Sequence, residues 1–124
     1  MFNHIMLGSN DIPRSKAFYD ALIGAMGGEP GTIDDKNRLM YAHRGGRLMI
    51  TTPIDGDPAC GANGGTVGFK VESEAEGDAW HHAGVTHGGT AVEDAPGMRG
   101  DVVWLAYMRD PDGNKLCAAY RPAA

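Results

Sequence analysis

No stretch of this sequence approaches the ~20 consecutive apolar residues that a membrane-crossing helix needs, so no span is expected. The N-terminus lacks the basic start and long apolar core of a secretion signal. Cysteine is scarce: Cys60 and Cys117 are the only two, far apart and without zinc-knuckle spacing. These absences lead to the expectation of a cytoplasmic protein with two reduced thiols. Basic residues are in the minority, 11 Lys and Arg against 16 Asp and Glu, for a net charge of −5. With no basic stripe, nucleic acid is excluded as the expected partner, and long-range attraction leans toward cationic ligands. Several catalytic signatures are missing as well. There is no G-x-x-x-x-G-K-[ST], no G-x-G-x-x-G after a strand and no H-E-x-x-H, and no G-x-S-x-G.

What the sequence does have is a repeat. Residues 4–32 run from His4-Ile5-Met6-Leu7 through Ser9-Asn10-Asp11 and Ala17-Phe18-Tyr19 to Gly27-Gly28. Shifted by 62, the pattern recurs as Thr66-Val67-Gly68-Phe69, Ser73-Glu74-Ala75-Glu76, Ala79-Trp80-His81 and Gly88-Gly89. A repeat of this length signals a supersecondary unit used twice. In 124 residues, each half of roughly 60 would bury too little surface to stand alone. The halves are therefore expected to share one domain: a module at 1–53, a linker at 54–65 rich in Pro, Asp, Gly and Asn, and a module at 66–121.

Local signals place the elements. Ser9, Asn10 and Asp11 offer helix N-caps and Pro13 suits a first turn. Phe18, Leu22 and Ala25 form a buried stripe, and Gly27-Gly28 ends the helix. Ser73 and Glu76 predict a capping box, opening a helix with Ala79, Trp80 and Ala83 on one side. Arg44-Gly45-Gly46 predicts a hairpin turn. A segment near Pro30–Ile33 reads as an edge strand. Asp110-Pro111-Asp112-Gly113 predicts a tight turn between Val102–Met108 and Lys115–Tyr120.

Two βαβββ modules, the helix Ile12-Pro13-Arg14-Ser15-Lys16-Ala17-Phe18-Tyr19, and the turn Asp110-Pro111-Asp112-Gly113-Asn114-Lys115 resemble the vicinal oxygen chelate superfamily, the glyoxalase, bleomycin-resistance and extradiol-dioxygenase group. The resemblance covers almost the whole chain. It implies an α+β fold whose paired modules form a curved mixed sheet around a cavity, and a homodimer in which two chains complete or bury the half-barrels. In the metalloenzymes of the group, four strand positions aim ligands into the cavity. The resemblance puts those positions at His4, Met49, Thr66 and Cys117. The repeat supports the register, with Met49 and Cys117 matching through Arg47-Leu48 and Lys115-Leu116.

That set suits a divalent cation poorly. Such ions want imidazole and carboxylate, whereas a thioether and a hydroxyl carry no charge. A soft Cu(I) site from His4, Met49 and Cys117 is chemically conceivable, but inward Met and Cys are more often filler. No cofactor is therefore expected. His81, His82 and His87 read as a solvated helix face, since adjacent helical residues point about 100° apart. Strand alternation groups Phe2, His4 and Met6; Met49 and Thr51; Thr66, Gly68 and Lys70; and Cys117 and Ala119. A four-residue turn in the last hairpin would add Trp104 and Ala106 to the Cys117 face. A one-residue slip would add Leu105 and Tyr107 instead.

The pocket expected from these residues is apolar, with His4, Thr51, Thr66 and Lys70 as polar points, which is the make-up of a small-molecule site. The loop Glu93–Asp101 is a candidate lid. The leading expectation is a protein that sequesters a small organic molecule without a metal. Two alternatives stand beside it: a diverged glyoxalase-like lyase with His4 as base or residual ligand, and a non-catalytic accessory protein with a filled core.

Overall fold

The computed structural model describes residues 1–122. In chain order the elements are β1 (Ile5–Gly8), α1 (Ile12–Gly24), β2 (Thr32–Ile33), β3 (Leu39–His43), β4 (Gly46–Thr51), β5 (Val67–Lys70), α2 (Glu74–Thr86), β6 (Thr90–Ala91), β7 (Gly97–Arg99), β8 (Val103–Arg109) and β9 (Lys115–Tyr120). They form an α+β fold with two mixed sheets. One has the order β1-β4-β3-β2; the other runs β5-β9-β8-β6, with β7 also paired to β8. The repeat is visible in the pairing. Parallel β1–β4 sets Ile5 opposite Leu48, and parallel β5–β9 sets Val67 opposite Leu116. The second module differs by its extra strand, β7.

Local chemistry explains both helices. Asp11 has extended backbone and accepts from the Arg14 N–H at 3.0 Å, with Pro13 in the first turn. The α1 chain ends where the Gly28 N–H returns to the Ile23 carbonyl and Gly27 takes φ +83°, a conformation that favours glycine. Ser73 caps α2 by accepting from the Glu76 N–H at 3.0 Å. The Glu76 carboxylate reaches back one residue further than a capping box requires, to the Glu72 N–H. It also binds Arg44 from the first module's hairpin at 2.6 Å. Hydrogen bonds from Arg44 hold Glu76 below the usual carboxylate range despite partial burial.

One face of each sheet and both helices share a single core. It contains Phe18, Tyr19 and Leu22 from α1, Trp80 from α2, Leu39, Tyr41, Leu48 and Ile50 from the first sheet, and Trp104, Ala106, Met108, Leu116 and Ala118 from the second. The α2 stripe differs from the expectation. Gly77, Trp80 and Gly84 are buried, whereas Ala79 is exposed. The two glycines let α2 lie close to β8: a Cβ on Gly77 would stand 2.2 Å from the Trp104 ring, and one on Gly84 2.3 Å from the Met108 sulfur. Trp80 Nε1 is buried without a hydrogen-bond partner among the described residues, a cost tolerated for the ring's packing.

The Asp110–Asn114 turn joins the modules. Asp110, 4% exposed, accepts from the Tyr19 hydroxyl at 2.5 Å, Asn114 Nδ2 at 2.8 Å, and the N–H groups of Asp112 and Asn114 at 2.9 Å each. Asp112 accepts from the Asn10 N–H at 2.8 Å and forms an ion pair with Arg14 at 2.7 Å. Asn114 Nδ2 also donates to the Gly8 carbonyl at 3.1 Å. The turn of the second module thus clamps the start of the first module's helix. The sequence pattern that carries the resemblance is a structural joint, not a chemical site.

A second polar knot holds α1 to β2 and β3. Asp20 accepts from the Gly31 N–H at 2.8 Å, the Tyr41 hydroxyl at 2.7 Å and Lys16 at 2.6 Å. Burial alone would raise the Asp20 pKa, but the bonds from Gly31, Lys16 and Tyr41 together outweigh it and hold the carboxyl below its ordinary 3.8. A depressed carboxylate stabilises the fold above its unfolded pKa, and that contribution is lost as pH falls through the folded value. Asp20→Asn is therefore expected to lower stability at neutral pH by about 1–2 kcal/mol and to flatten the acid limb below about pH 4. Urea denaturation at pH 7 and pH 3 checks this; an equal loss at both would show that Asp20 ionisation plays no part.

Candidate functional site

A cleft of about 500 Å³ lies between the modules. Its walls are Ile5 of β1, Ile23 and Met26 at the end of α1, Tyr41 and Leu48 of the first sheet, and Val67 and Phe69 of β5. Arg44, Arg47, Lys70, Glu72 and His43 supply its polar parts. The cleft exists because β1 and β5 are both edge strands. Each has a partner on one side only, so the gap between the sheets is left to side chains.

Several lining groups are held in place. His43 donates Nε2–H to the Met26 carbonyl at 2.9 Å. The Tyr41 hydroxyl donates to Asp20, and burial followed by the bond to Asp20 pushes it far above the usual tyrosine range. It stays protonated at any physiological pH. Arg44 is fixed by Glu76 at 2.6 and 3.1 Å and lies 3.9 Å from Glu72. The Phe69 ring, which lines the cleft, packs 5.7 Å from Trp80. The volume falls within the range of small-molecule sites, and an apolar wall with few polar groups is their usual composition.

The residues expected from the sequence are not gathered in this cleft; of them only Gly68 and Lys70 line it. The registers place Met49, Thr51, Tyr107 and Cys117 on the sheet faces turned away from the core. Met49 lies beside Met6 and Met40, with Thr51 two residues on. On the second sheet Cys117 lies between Gly68 and Tyr107. His4 precedes β1, is exposed, and its Nδ1 lies 2.8 Å from Asn3 Oδ1. Thr66 precedes β5 and borders a smaller hollow of about 270 Å³ with Arg109 and Lys115.

Two expectations are corrected. Trp104 is not on the Cys117 face: it is 2% exposed in the core, against Gly77. The hairpin loop has five residues, not four, because Asp110 closes it by donating its N–H to the Asn114 carbonyl at 2.9 Å. That sets Arg109 opposite Lys115 and Tyr107 opposite Cys117. The Glu93–Asp101 segment is not a free lid either. Its centre is β7, paired residue for residue with β8 from Gly97–Leu105 to Arg99–Val103, and Arg99 also donates to the Gly97 carbonyl at 2.9 Å.

A small polar cluster occupies the second sheet's outer face. Lys115 pairs with Glu93, whose φ is +60°, and stands 5.0 Å over the Tyr107 ring. Burial, opposed in part by Tyr107, pushes the Cys117 thiol up. It is a neutral thiol near pH 7, and a poor nucleophile.

The superfamily's divalent metal does not fit this chain. The corresponding donors are one exposed imidazole, a thioether, a hydroxyl and a neutral thiol, with no carboxylate among them. No group of three or more His, Cys, Asp or Glu positioned to hold a metal ion occurs among the described residues. Most of the cleft is not legible from strand alternation, which assigns Val67 and Phe69 to one face and Gly68 and Lys70 to the other. At an edge strand both faces reach the gap.

Comparison with known proteins agrees with this architecture. A family profile described as "Glyoxalase-like domain" matches residues 4–119. The crystal structure of a glyoxalase/bleomycin resistance protein from Albidiferax ferrireducens T118 is 51% identical, covers 98% of this chain and 99% of its own, and superposes with a TM-score of 0.93. The fosfomycin resistance protein FosX from Listeria monocytogenes, solved with Mn(II) and sulfate, is 16% identical over 98% of this chain and 90% of its own, with a TM-score of 0.73. Lactoylglutathione lyase from Agrobacterium tumefaciens is 19% identical over 96% and 92%, with a TM-score of 0.66. These last two share the fold alone. No curated protein matches the chain. No helix of the described residues is long and apolar enough to cross a membrane. With its two βαβ-led modules and a profile match over nearly its full length, the chain belongs to the glyoxalase-like domain family of the vicinal oxygen chelate superfamily.

Proposed function

We propose that this protein binds and sequesters a small organic molecule without using a metal. The observation that carries the reading is the cleft of about 500 Å³, lined by apolar side chains with a few charged ones. The donor set supports the metal-independent form, since none of His4, Met49, Thr66 or Cys117 supplies the negative charge a divalent cation requires. The 51% identical relative, named a glyoxalase/bleomycin resistance protein, is consistent with a binding role on this fold. A lyase reading with His4 as base finds no support in its position, because His4 lines neither hollow.

A second copy of the chain belongs to the same reading. Phe2, Ile5, Met6, Met98 and Val102 are exposed apolar side chains, and the outer faces of both sheets are left for a partner to cover. A homodimer would give Met49, Thr51, Thr66, Tyr107 and Cys117 a shared environment. Light scattering during size-exclusion chromatography is expected to return twice the 13.1 kDa chain mass.

The test of function is a thermal-shift screen of metabolite-like and drug-like compounds, run before and after EDTA. A ligand at one hundred times its Kd should add about 2.7 kcal/mol of stability, undiminished by EDTA. Leu48→Trp, which fills the cleft, should abolish the shift. Stoichiometric metal in protein purified without an affinity tag, lost in His4→Ala, would overturn the proposal in favour of metal-assisted lyase chemistry.

A further inference from the structure

The geometry points to an amphipathic organic anion as the ligand of the cleft: a carboxylate head on an aliphatic or aryl body. This rests on the reading of the cleft as a small-molecule site. The body would lie against Ile5, Met26, Leu48, Val67 and Phe69. The head would meet Arg47 of β4 and Lys70 of β5, which come from different sheets and both line the cleft. Neither has a carboxylate within 4.0 Å or a side-chain hydrogen bond among the described residues, whereas every other cation at this mouth is already matched: Arg44 is held by Glu76 and Glu72. Glu72, the one carboxylate lining the cleft, is thereby turned to Arg44.

Single exposed cations are ordinary. Two unmatched ones, Arg47 from β4 and Lys70 from the edge strand β5, lining one apolar cleft from different sheets, form a head-group site. Arginine offers a carboxylate a two-pronged contact and lysine a point charge, and the apolar walls reduce screening. The chain's net charge of −5 does not oppose this, because exposed charges more than ~8 Å away are largely screened at physiological ionic strength. The lean toward cationic ligands drawn from bulk charge is reversed by the local arrangement.

The test uses three probes of one shape: octanoate, octan-1-ol and octyltrimethylammonium, titrated calorimetrically into wild-type protein, Arg47→Gln, Lys70→Gln and the double variant. Octanoate should bind about ten-fold more tightly than octanol, with octyltrimethylammonium weakest. The double variant should bring octanoate within about two-fold of octanol while leaving octanol unchanged. Both side chains are exposed, so the fold should survive, and an unchanged circular dichroism melt verifies it. Octanol or the ammonium binding as well as octanoate would overturn the anion and leave the cleft reading standing. No binding by any probe would overturn both. If Leu48→Trp then also dissociates a wild-type dimer, the cleft's occupant is a second copy of the chain.

Discussion

Asp110→Ala is expected to lower stability by about 4 kcal/mol, a large fraction of a small domain's total. The side chain is buried and satisfies four donors: the Tyr19 hydroxyl, Asn114 Nδ2, and the N–H groups of Asp112 and Asn114. Alanine takes this acceptor from all four, and each unsatisfied buried donor costs about 1–3 kcal/mol, less where water enters or where, as for Asn114 Nδ2 on the Gly8 carbonyl, a second acceptor remains. The loss is also structural, because the same turn positions Asp112 on Asn10 and Arg14 and Asn114 on Gly8. Tyr19→Phe removes one donor and spares the acceptor's other bonds, so about 1–2 kcal/mol is expected. Denaturant titrations followed by tryptophan fluorescence measure both. An Asp110→Ala loss under 1 kcal/mol would show that the turn is held by its backbone geometry instead.

The same joint sets an alkaline limit. Burial, reinforced by Asp110, raises the Tyr19 pKa well above its ordinary 10.0. A group whose folded pKa is raised contributes stability that is full below the unfolded value and is lost as pH rises through the folded one. Stability should therefore decline above about pH 10, and less steeply in Tyr19→Phe.

Gly77→Ala is expected to destabilise by about 2 kcal/mol, although alanine is the better helix former by about 1 kcal/mol. The added Cβ would stand 2.2 and 2.4 Å from Cζ3 and Cη2 of Trp104, atoms of a rigid ring that is itself buried. Gly84→Ala meets Met108 Sδ at 2.3 Å and Cε at 2.6 Å. These are the far end of a flexible side chain, so repacking should limit its cost to about 0–1 kcal/mol. Trp104→Phe deletes the two atoms that clash, and Gly77→Ala should cost at least 1 kcal/mol less in that background. A double-mutant cycle by chemical denaturation reads this coupling. Additive effects would mean that α2 shifts as a body and that the Gly77–Trp104 contact does not hold it.

These two sites mark where sequence reasoning worked and where it stopped. The repeat, the Asp11 and Ser73 caps, the Arg44-Gly45 turn and the Asp110–Asn114 turn were legible because each is local. A cap or a turn needs particular residues at fixed offsets, and a repeat needs only comparison of the chain with itself. The family likewise followed from the helix and the last turn, both short patterns. The facing of β8 was not legible, because one residue more in the loop exchanges Trp104 for Tyr107, and loop length was settled by Asp110 bonding across it. Gly77 and Gly84 carried no sign that they were packing positions rather than breaks; only Trp104 and Met108, some 25 residues on, make them so.

The site divides in the same way. The amino-acid sequence by itself determined the absence of carboxylates from the four positions that the resemblance assigns to a metal, since that is a matter of residue identity. It determined the two-module plan as well. Only the tertiary structure decided where a ligand would lie. The cleft is a gap between edge strands of different sheets, and strand periodicity describes the faces of one sheet, not the distance between two. Arg47 and Lys70 are ordinary surface cations in the chain. The proposed pairing of the two rests on the packing of the modules, which brings β4 and β5 to one cleft, where neither has an ion-pair partner among the described residues.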